Sequence, residues 1–494
     1  LAGNRTSRRE FLKRAGAAGA GLAFQRLAQP LFAEAPARDR PNILLMIADD
    51  WQWPHAGVYG DKAVKTPNFD RLAREGALFS HSFCAAPTCT ASRAALLTGQ
   101  APHRLGEGAN LYSTLRASFQ VYPEILESSG YAVGMSGKGW GPGPIEGSGR
   151  TRNPAGPDFT NFKEFLKSLP SGKPFCFWFG SHFPHRNYVP GSGQKNGLRL
   201  EDVKVPPFLP DTPEVRADIL DYLWEVQQFD RQCGAVLQNL ALSGRSGNTL
   251  VVMTSDNGMP FPRAKANLYE AGTHMPLAMR WPARIKAGRT LDTLVSHTDL
   301  APSFLDAAGL KPPPEMTGRS LLGLLAGGQP PDRDFIVTER ERHVNCRAGS
   351  LSYPARAVRT KDFLYIRNFR PDLWPAGDPK MWVAVGDFGD IDTSPSKTLL
   401  LNRREDPDIR PFFDLATAKR PTEELFDIRR DPWCLKNVAQ DSDFAGARKD
   451  LAEELKQWME TTSDPRAEQP TDDRWDRSAY HGVLGEWVIP KPSQ

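Results

Sequence analysis

An α/β fold is predicted for this chain, with a mostly parallel sheet held between helices and a smaller α+β domain after it. Two observations carry the prediction. Short, unbroken apolar runs bounded by turn residues occur at Ile43–Ala48, Tyr131–Ser136, Pro174–Gly180 and Thr249–Ser255. Strands covered on both faces have this composition because neither side meets water. Amphipathic helical stretches separate these runs from Asn42 to about Leu325, and such alternation is the order of a crossover-connected parallel sheet.

Each element has its own signal. Helices are predicted at Asn68–Arg74, stopped at Gly76, and at Val121–Ser129, stopped at Gly130. A long helix is predicted over Glu214–Leu242, where Val215, Ile219, Leu223, Val226, Phe229 and Leu237 are read as core. The Pro- and Gly-rich stretch Leu310–Pro331 marks the end of this domain, which is bounded as 36–330. Strand-like pieces at Phe335–Thr338 and Phe363–Arg367 and a helix at Phe444–Thr461 predict the smaller α+β domain over 331–470. The remainder, 471–494, is polar and Pro-rich with Trp475, Tyr480 and Trp487, and is expected to lie extended over the surface.

Residues 1–35 stand apart. Ser7-Arg8-Arg9-Glu10-Phe11-Leu12-Lys13 has the form of a twin-arginine export signal, followed by an Ala/Gly/Leu stretch from Ala15 to Phe32. Gln25, Arg26 and Gln29 interrupt that stretch, so it makes a poor membrane span. Export from a bacterium to the periplasm or beyond is the expectation. The whole chain has 62 basic and 58 acidic residues, a formal +4, and the segment holds six basic and two acidic ones, also +4. What is left is near neutral, which gives no support to nucleic-acid or membrane-surface binding. The six cysteines (84, 89, 176, 233, 346 and 434) form no CxxC pair and no zinc-like spacing. On spacing alone a Cys84–Cys89 bridge stays open.

Chemistry-bearing residues follow the strands. Ile43–Ala48 runs into Asp49 and Asp50, and Thr249–Ser255 into Asp256 and Asn257. Lys138 follows Tyr131–Ser136, and His182 and His185 follow Pro174–Gly180. Ligands of open parallel sheets bind beyond the carboxyl ends of the strands, so these groups should converge on one crevice. Three carboxylates and an amide would repel or go unsatisfied without a cation, and an all-oxygen set favours a hard ion such as calcium. Cys89-Thr90-Ala91-Ser92-Arg93 opens a helical stretch, placing Cys89 at the positive end of a helix dipole with Arg93 one turn on. Read alone, that motif suggests a reactive thiolate or, equally, a buried structural cysteine beside an arginine.

PNILLMIADD, APTCTASRAALLTG, SDNG and ELFDIRRDPWCLKNVA resemble, in order over roughly 41–440, the signatures of the type I sulfatase family of the alkaline phosphatase superfamily. The resemblance implies an alkaline-phosphatase-like catalytic domain and a formylglycine made from Cys89 by a maturase. It also implies calcium held by Asp49, Asp50, Asp256 and Asn257 with the modified Cys89 touching it. Arg93 and Lys138 would stabilise the hydrated aldehyde and the sulfate, Lys265 would hold sulfate oxygens, and His185 would protonate the leaving group. The chain departs from the pattern at Ala91, where the family prefers Pro, and at Gly137-Lys138-Gly139-Trp140, where it has GKxH. Trp140 is therefore read as a sugar or aryl platform lining the pocket.

Segments 182–186, 205–218, 255–273 and 351–359 are most similar to the heparan N-sulfatase branch of that family. They imply a sulfated sugar or glycosaminoglycan-like oligosaccharide as substrate, N-sulfoglucosamine among the candidates, with His182 and His343 contacting the sugar. A surface histidine in a loop is the plainer reading of His343. Two other functions fit the same residues: a phosphonate or phosphate monoester hydrolase of the superfamily, and a non-catalytic glycan-binding protein should Cys89 stay unconverted.

Overall fold

The computed structural model describes residues 40–329, 333–380 and 386–482. The export segment 1–35, the boundary near 330 and the end of the tail with Trp487 lie outside the described residues. Among the described residues no helix is long and apolar enough to cross a membrane.

Seven strands build the main sheet: β1 Asn42–Ala48, β2 Ala77–Phe83, β3 Ala132–Gly137, β4 Phe175–Gly180, β5 Thr249–Ser255, β6 Leu277–Arg280 and β7 Arg289–Ser296. Their order is β3-β4-β1-β5-β6-β2-β7. β1 pairs in parallel with β4 and β5, as do β3 with β4 and β2 with β7, while β6 runs antiparallel to both its neighbours. The four apolar runs are thus the four contiguous strands on one side of the sheet. The other three were not read from the sequence. β2 and β7 carry polar residues such as Ser80, His81, Arg289 and Asp292, and β6 has only four residues, too few to show a period.

Alternate residues of β1 enter two cores. Leu44, Met46 and Ala48 pack toward the helix Pro213–Leu242, and Ile43, Leu45 and Ile47 pack toward the helices Cys89–Thr98, Tyr122–Ser128 and Leu300–Ala307. Both layers are needed, because a parallel sheet buries both faces. The long helix is capped by Thr212, whose side chain accepts from the Val215 amide, with Pro213 at its first position.

A second, antiparallel sheet has β8 Phe335–Arg340, β9 Ala355–Thr360, β10 Phe363–Asn368 and β11 Glu423–Asp427 in the order β11-β10-β9-β8. The helix Ala445–Thr461 packs on it through Leu451, Leu455 and Met459. A buried pair of His103 with Glu339 at 2.9 Å ties this layer to the larger domain, while Arg356 with Asp464 at 2.7 Å and Arg466 with Glu341 at 2.8 Å tie it to the segment after that helix. The tail is more deeply engaged than its polarity suggested. Trp475 is fully buried, its indole N–H donates to Gly106 O at 3.0 Å, and its carbonyl accepts from Asn110 Nδ2 at 2.9 Å.

Candidate active site

Register decides which side chains meet. Ile47 pairs with Gly180 and Ala48 with Ser255, so β1, β4 and β5 end level and release Asp49, the 181–185 loop and Asp256 side by side. The Asp256 amide donates to Ala48 O at 3.3 Å and the Ser181 amide to Ile47 O at 2.9 Å. Asp50 takes a left-handed backbone, φ 75°, which Asp tolerates better than most residues. Its amide donates to Asp256 Oδ1 at 3.0 Å. Two glycines allow the close approach of the neighbouring loops. A Cβ at Gly137 would lie 2.1 Å from Gly180 O, and one at Gly258 would lie 1.9 Å from Ala271 O.

The helix Cys89–Thr98 begins at the crevice and is buried along its whole length. The Cys89 thiol donates to Asp49 Oδ1 at 3.4 Å, and burial pushes it well above its ordinary range despite Lys138. The plain thiol is therefore not the reactive thiolate that the helix dipole alone suggested. All six cysteines are free, so the Cys84–Cys89 bridge does not form.

Carboxylate atoms of Asp49, Asp50 and Asp256 and the sulfur of Cys89 all lie within 4.8 Å of one another. The cluster is compact enough for one cation to reach all of these atoms, and its carboxylate and amide oxygens are the donors a hard ion such as calcium takes. Asn257 Nδ2 donates to Asp50 Oδ1 at 2.6 Å and to Gly258 O at 3.0 Å, while its Oδ1 is buried with no partner. An orphaned buried acceptor costs about 1–3 kcal/mol, and a cation would satisfy it. Electrostatics agree. Burial, with Asp49 and Asp256 nearby, raises the Asp50 carboxyl in spite of Lys265, and a divalent ion would restore its charge. The oxygen-rich donor set fits the group.

Cations surround the carboxylates. Lys138 Nζ donates to both Asp49 oxygens at 2.7 Å. Burial works against charge on Asp49, but Lys138, His185 and Arg93 outweigh it and hold the carboxyl well below its usual range. Lys265 Nζ lies 2.8 Å from Asp50 Oδ2 and 3.3 Å from Asp392 Oδ2. Burial opposes its charge, yet Asp392 and Asp50 keep the ammonium firmly protonated. Arg93 is fully buried and committed: Nε donates to Asp256 Oδ2 at 2.8 Å, and one terminal nitrogen donates to Lys138 O and Gly139 O, both at 2.9 Å.

The histidines separate into two kinds. His185, its side chain 39% exposed, shares a hydrogen bond through Nδ1 with Arg186 O and sets Nε2 3.9 Å from Asp50 Oδ2. A carbonyl only accepts, so Nδ1 carries a proton and Nε2 is the atom facing the crevice. His182 is exposed at the rim, and partial burial together with Lys138 and Arg93 lowers it although Asp49 opposes them. His343 is no surface histidine. It is buried, bonded through Nδ1 to Thr88 Oγ1 at 2.7 Å, and burial brings it down to about 4.

Trp140 requires a correction. The residue is 4% exposed and belongs to the same buried cluster as Met135, Ala155 and Trp178, which leaves too little surface for the sugar platform expected of it. Its backbone is what serves the site, since Gly139 and Trp140 continue the segment that Arg93 pins and Asn153 receives the Trp140 amide at 3.0 Å. Asp392 and Tyr112 are not marked by any sequence signal. Asp392 lies in an irregular loop, and Tyr112 follows a 3-10 segment with φ 53°, its hydroxyl acted on by Lys265, Lys138 and Asp392 as well as by burial. Neither sits in a motif or at a strand end.

Sheet, acidic cluster and helix-opening cysteine together define a hydrolase of the α/β class. Comparison with known proteins makes this specific. Residues 41–142 and 157–310 match the sulfatase family model, and residues 263–378 match the model described as N-sulphoglucosamine sulphohydrolase, C-terminal. The chain belongs to the sulfatase family. It is 31% identical to human N-sulphoglucosamine sulphohydrolase, covering 92% of this chain and 95% of that one. It is 28% identical to an ulvan-active sulfatase of Formosa agariphila, covering 86% and 81% respectively. A solved structure of a protein in complex with its substrate D-glucosamine-2-N,6-O-disulfate shares the fold, with a TM-score of 0.63 at 21% identity over 87% of this chain and 99% of that one.

Proposed function

We propose that this chain is an exported, calcium-dependent sulfatase that hydrolyses sulfate esters or N-sulfate groups of sulfated glycans, with Cys89 converted to formylglycine. The observation that carries the reading is the gathering of Asp49, Asp50, Asp256 and Asn257 around Cys89, with Lys138 and Lys265 on its flanks. Similarity to human N-sulphoglucosamine sulphohydrolase over nearly the whole chain supports N-sulfoglucosamine as a substrate, with O-sulfated sugars as the next candidates. The SRRxFLK run supports twin-arginine export to the periplasm or outside.

Asp49, Asp50, Asp256 and Asn257 would hold the calcium, which supplies a Lewis acid against charge on the sulfate. Formylglycine supplies a hydrated aldehyde, a nucleophile with a second hydroxyl that lets the sulfate leave again. The other side chains bind, orient and move protons. Position 89 opens a helix, so negative charge there meets the positive end of the dipole. Lys138 holds Asp49 in place, and Lys265 presents a permanent ammonium to the sulfate oxygens. His185, with Nδ1 engaged by Arg186 O, donates from a protonated Nε2 to the leaving oxygen or nitrogen. Arg93 is a positioning residue, because Nε and Nη1 are engaged by Asp256 and the backbone carbonyls of Lys138 and Gly139, and Nη2 points at Ala48 O at 3.4 Å and Asp49 Oδ1 at 4.0 Å.

Burial adds a constraint. Cys89 is 2% exposed and every residue of its helix is buried, so a maturase must reach the motif before the chain folds. The test is peptide mass spectrometry at position 89 in active protein, beside turnover of N-sulfoglucosamine and of the phosphonate monoester phenyl phenylphosphonate. Formylglycine at position 89 with sulfate release supports the reading. An unmodified thiol in fully active enzyme, or turnover of the phosphonate alone, refutes it.

A further inference from the structure

We propose that Asp392 selects the substrate by accepting a hydrogen bond from the sugar next to the group being cleaved, and by rejecting sugars that carry a second anion there. This rests on the reading of the chain as a sugar sulfatase.

Three observations converge on Asp392. First, it stands at the sulfate-binding end, with Oδ2 3.3 Å from Lys265 Nζ. Second, that approach is an ion pair without hydrogen-bond alignment, since the buried Oδ2 has no hydrogen-bond partner. Third, the Asp392 side chain is 28% exposed while the Lys265 side chain is only 5% exposed, so with Oδ2 buried against the ammonium it is the rest of the Asp392 side chain that a ligand can reach. Burial alone would raise the Asp392 carboxyl, but Lys265, His185 and His343 outweigh that and bring it to about 2. It is an anion at any working pH.

An anion next to the ammonium that grips a sulfate is costly unless it does something for the substrate. It weakens the hold of Lys265 on every anionic substrate alike, because part of the lysine charge is already neutralised. A carboxylate has acceptor lone pairs and no donor. A sugar hydroxyl, amine or sulfamate N–H placed against it therefore gains a charge-assisted hydrogen bond. A neighbouring sulfate or carboxylate in the same place gains none and is repelled. Groups suited to the rest of a sugar ring stand nearby. Tyr112, half-buried, shares the surroundings of Lys265, Lys138 and Asp392, and its ring meets that of Tyr480 edge-on at 5.3 Å between centroids. The tail segment carrying Tyr480 is fastened by Arg342, which donates to Ser478 O and Ala479 O, and by the His481 amide, which donates to Tyr112 O at 2.7 Å. This aromatic pair takes the platform place that the buried Trp140 cannot fill.

The test compares wild type, Asp392→Asn and Asp392→Ala, each converted at position 89, calcium-loaded and matched for thermal unfolding. Three substrates are used: N-sulfoglucosamine, its N,3-disulfate, whose second anion sits on the ring carbon next to the N-sulfate, and 4-nitrophenyl sulfate. Asp392→Asn keeps an acceptor and loses the charge. It should shift the kcat/KM ratio of disulfate to monosulfate upward by about tenfold. Asp392→Ala should raise KM for N-sulfoglucosamine at least about tenfold more than KM for 4-nitrophenyl sulfate, which offers no donor. Unchanged ratios, or equal losses on all three substrates, would overturn the assignment and leave the sulfatase reading standing. A wild-type protein that cleaves phenyl phenylphosphonate and none of the three sulfates would overturn both together.

Discussion

Replacing Arg93 with Met separates a positioning role from a sulfate-gripping one. The guanidinium is wholly buried and lies 2.8 Å from Asp256 Oδ2. Removing it leaves a buried carboxylate without its partner, a loss of about 3–5 kcal/mol when no other cation is present. Gly139 O also loses the guanidinium, at about 1–3 kcal/mol, whereas Lys138 O keeps the indole N–H of Trp178 at 2.9 Å. These terms overlap, and a net loss of about 4 kcal/mol is expected in chelator-treated protein. Calcium changes the comparison, because it would give Asp256 a new partner. In saturating calcium the loss should shrink to the carbonyl term, about 1–2 kcal/mol, so calcium stabilises the variant more than the wild type. Urea unfolding of both proteins, with and without calcium, measures all four stabilities. An Arg93→Met loss that is the same in both conditions would refute the idea that Asp256 is shared between Arg93 and a cation. A loss below about 1 kcal/mol without calcium would refute the burial argument itself.

Other expectations are simpler to state. His185→Ala should slow sugar sulfates at least about tenfold more than 4-nitrophenyl sulfate, because only a poor leaving group needs the proton; equal losses would make His185 a binding or structural residue. A refolded, unconverted protein offered to a maturase should stay a thiol at Cys89, while the unfolded chain is converted, since the motif is buried; conversion of the folded form would contradict that burial. Acid should weaken the fold through His297, which is fully buried between Ser82 and Thr254 and is lowered by burial to about 3. The unfolded chain binds a proton below about 6.5 and the folded one does not, so stability is complete above that pH and falls as pH drops toward 3. Each pH unit below 6.5 should cost about 1.4 kcal/mol from this ring, and His343, lowered to about 4, acts in the same direction. His297→Gln should flatten the dependence between pH 7 and 5, and an unchanged slope would show that the ring titrates normally.

The sequence alone determined the half of the sheet that carries the chemistry. β1, β3, β4 and β5 are buried on both faces, and unbroken apolar runs ending in Asp, Lys, His or Asn leave little else for them to be. Their parallel pairing then brings Asp49, Lys138, His185 and Asp256 together, because strand ends in register must meet. Tertiary structure decided what depends on burial and on long-range contact. β2, β6 and β7 were hidden by mixed polarity and shortness, and their neighbours, not their own residues, hold them in the sheet. Trp140 was misjudged for the same reason. A tryptophan beside a motif looks like a platform until the fold shows it to be buried. Asp392 and Tyr112 lie on irregular segments far apart in the chain, where no motif, period or spacing marks them. Only the way those segments fold back over β1 and β5 makes them neighbours of Lys265, and that closeness is set by the packing of the whole molecule.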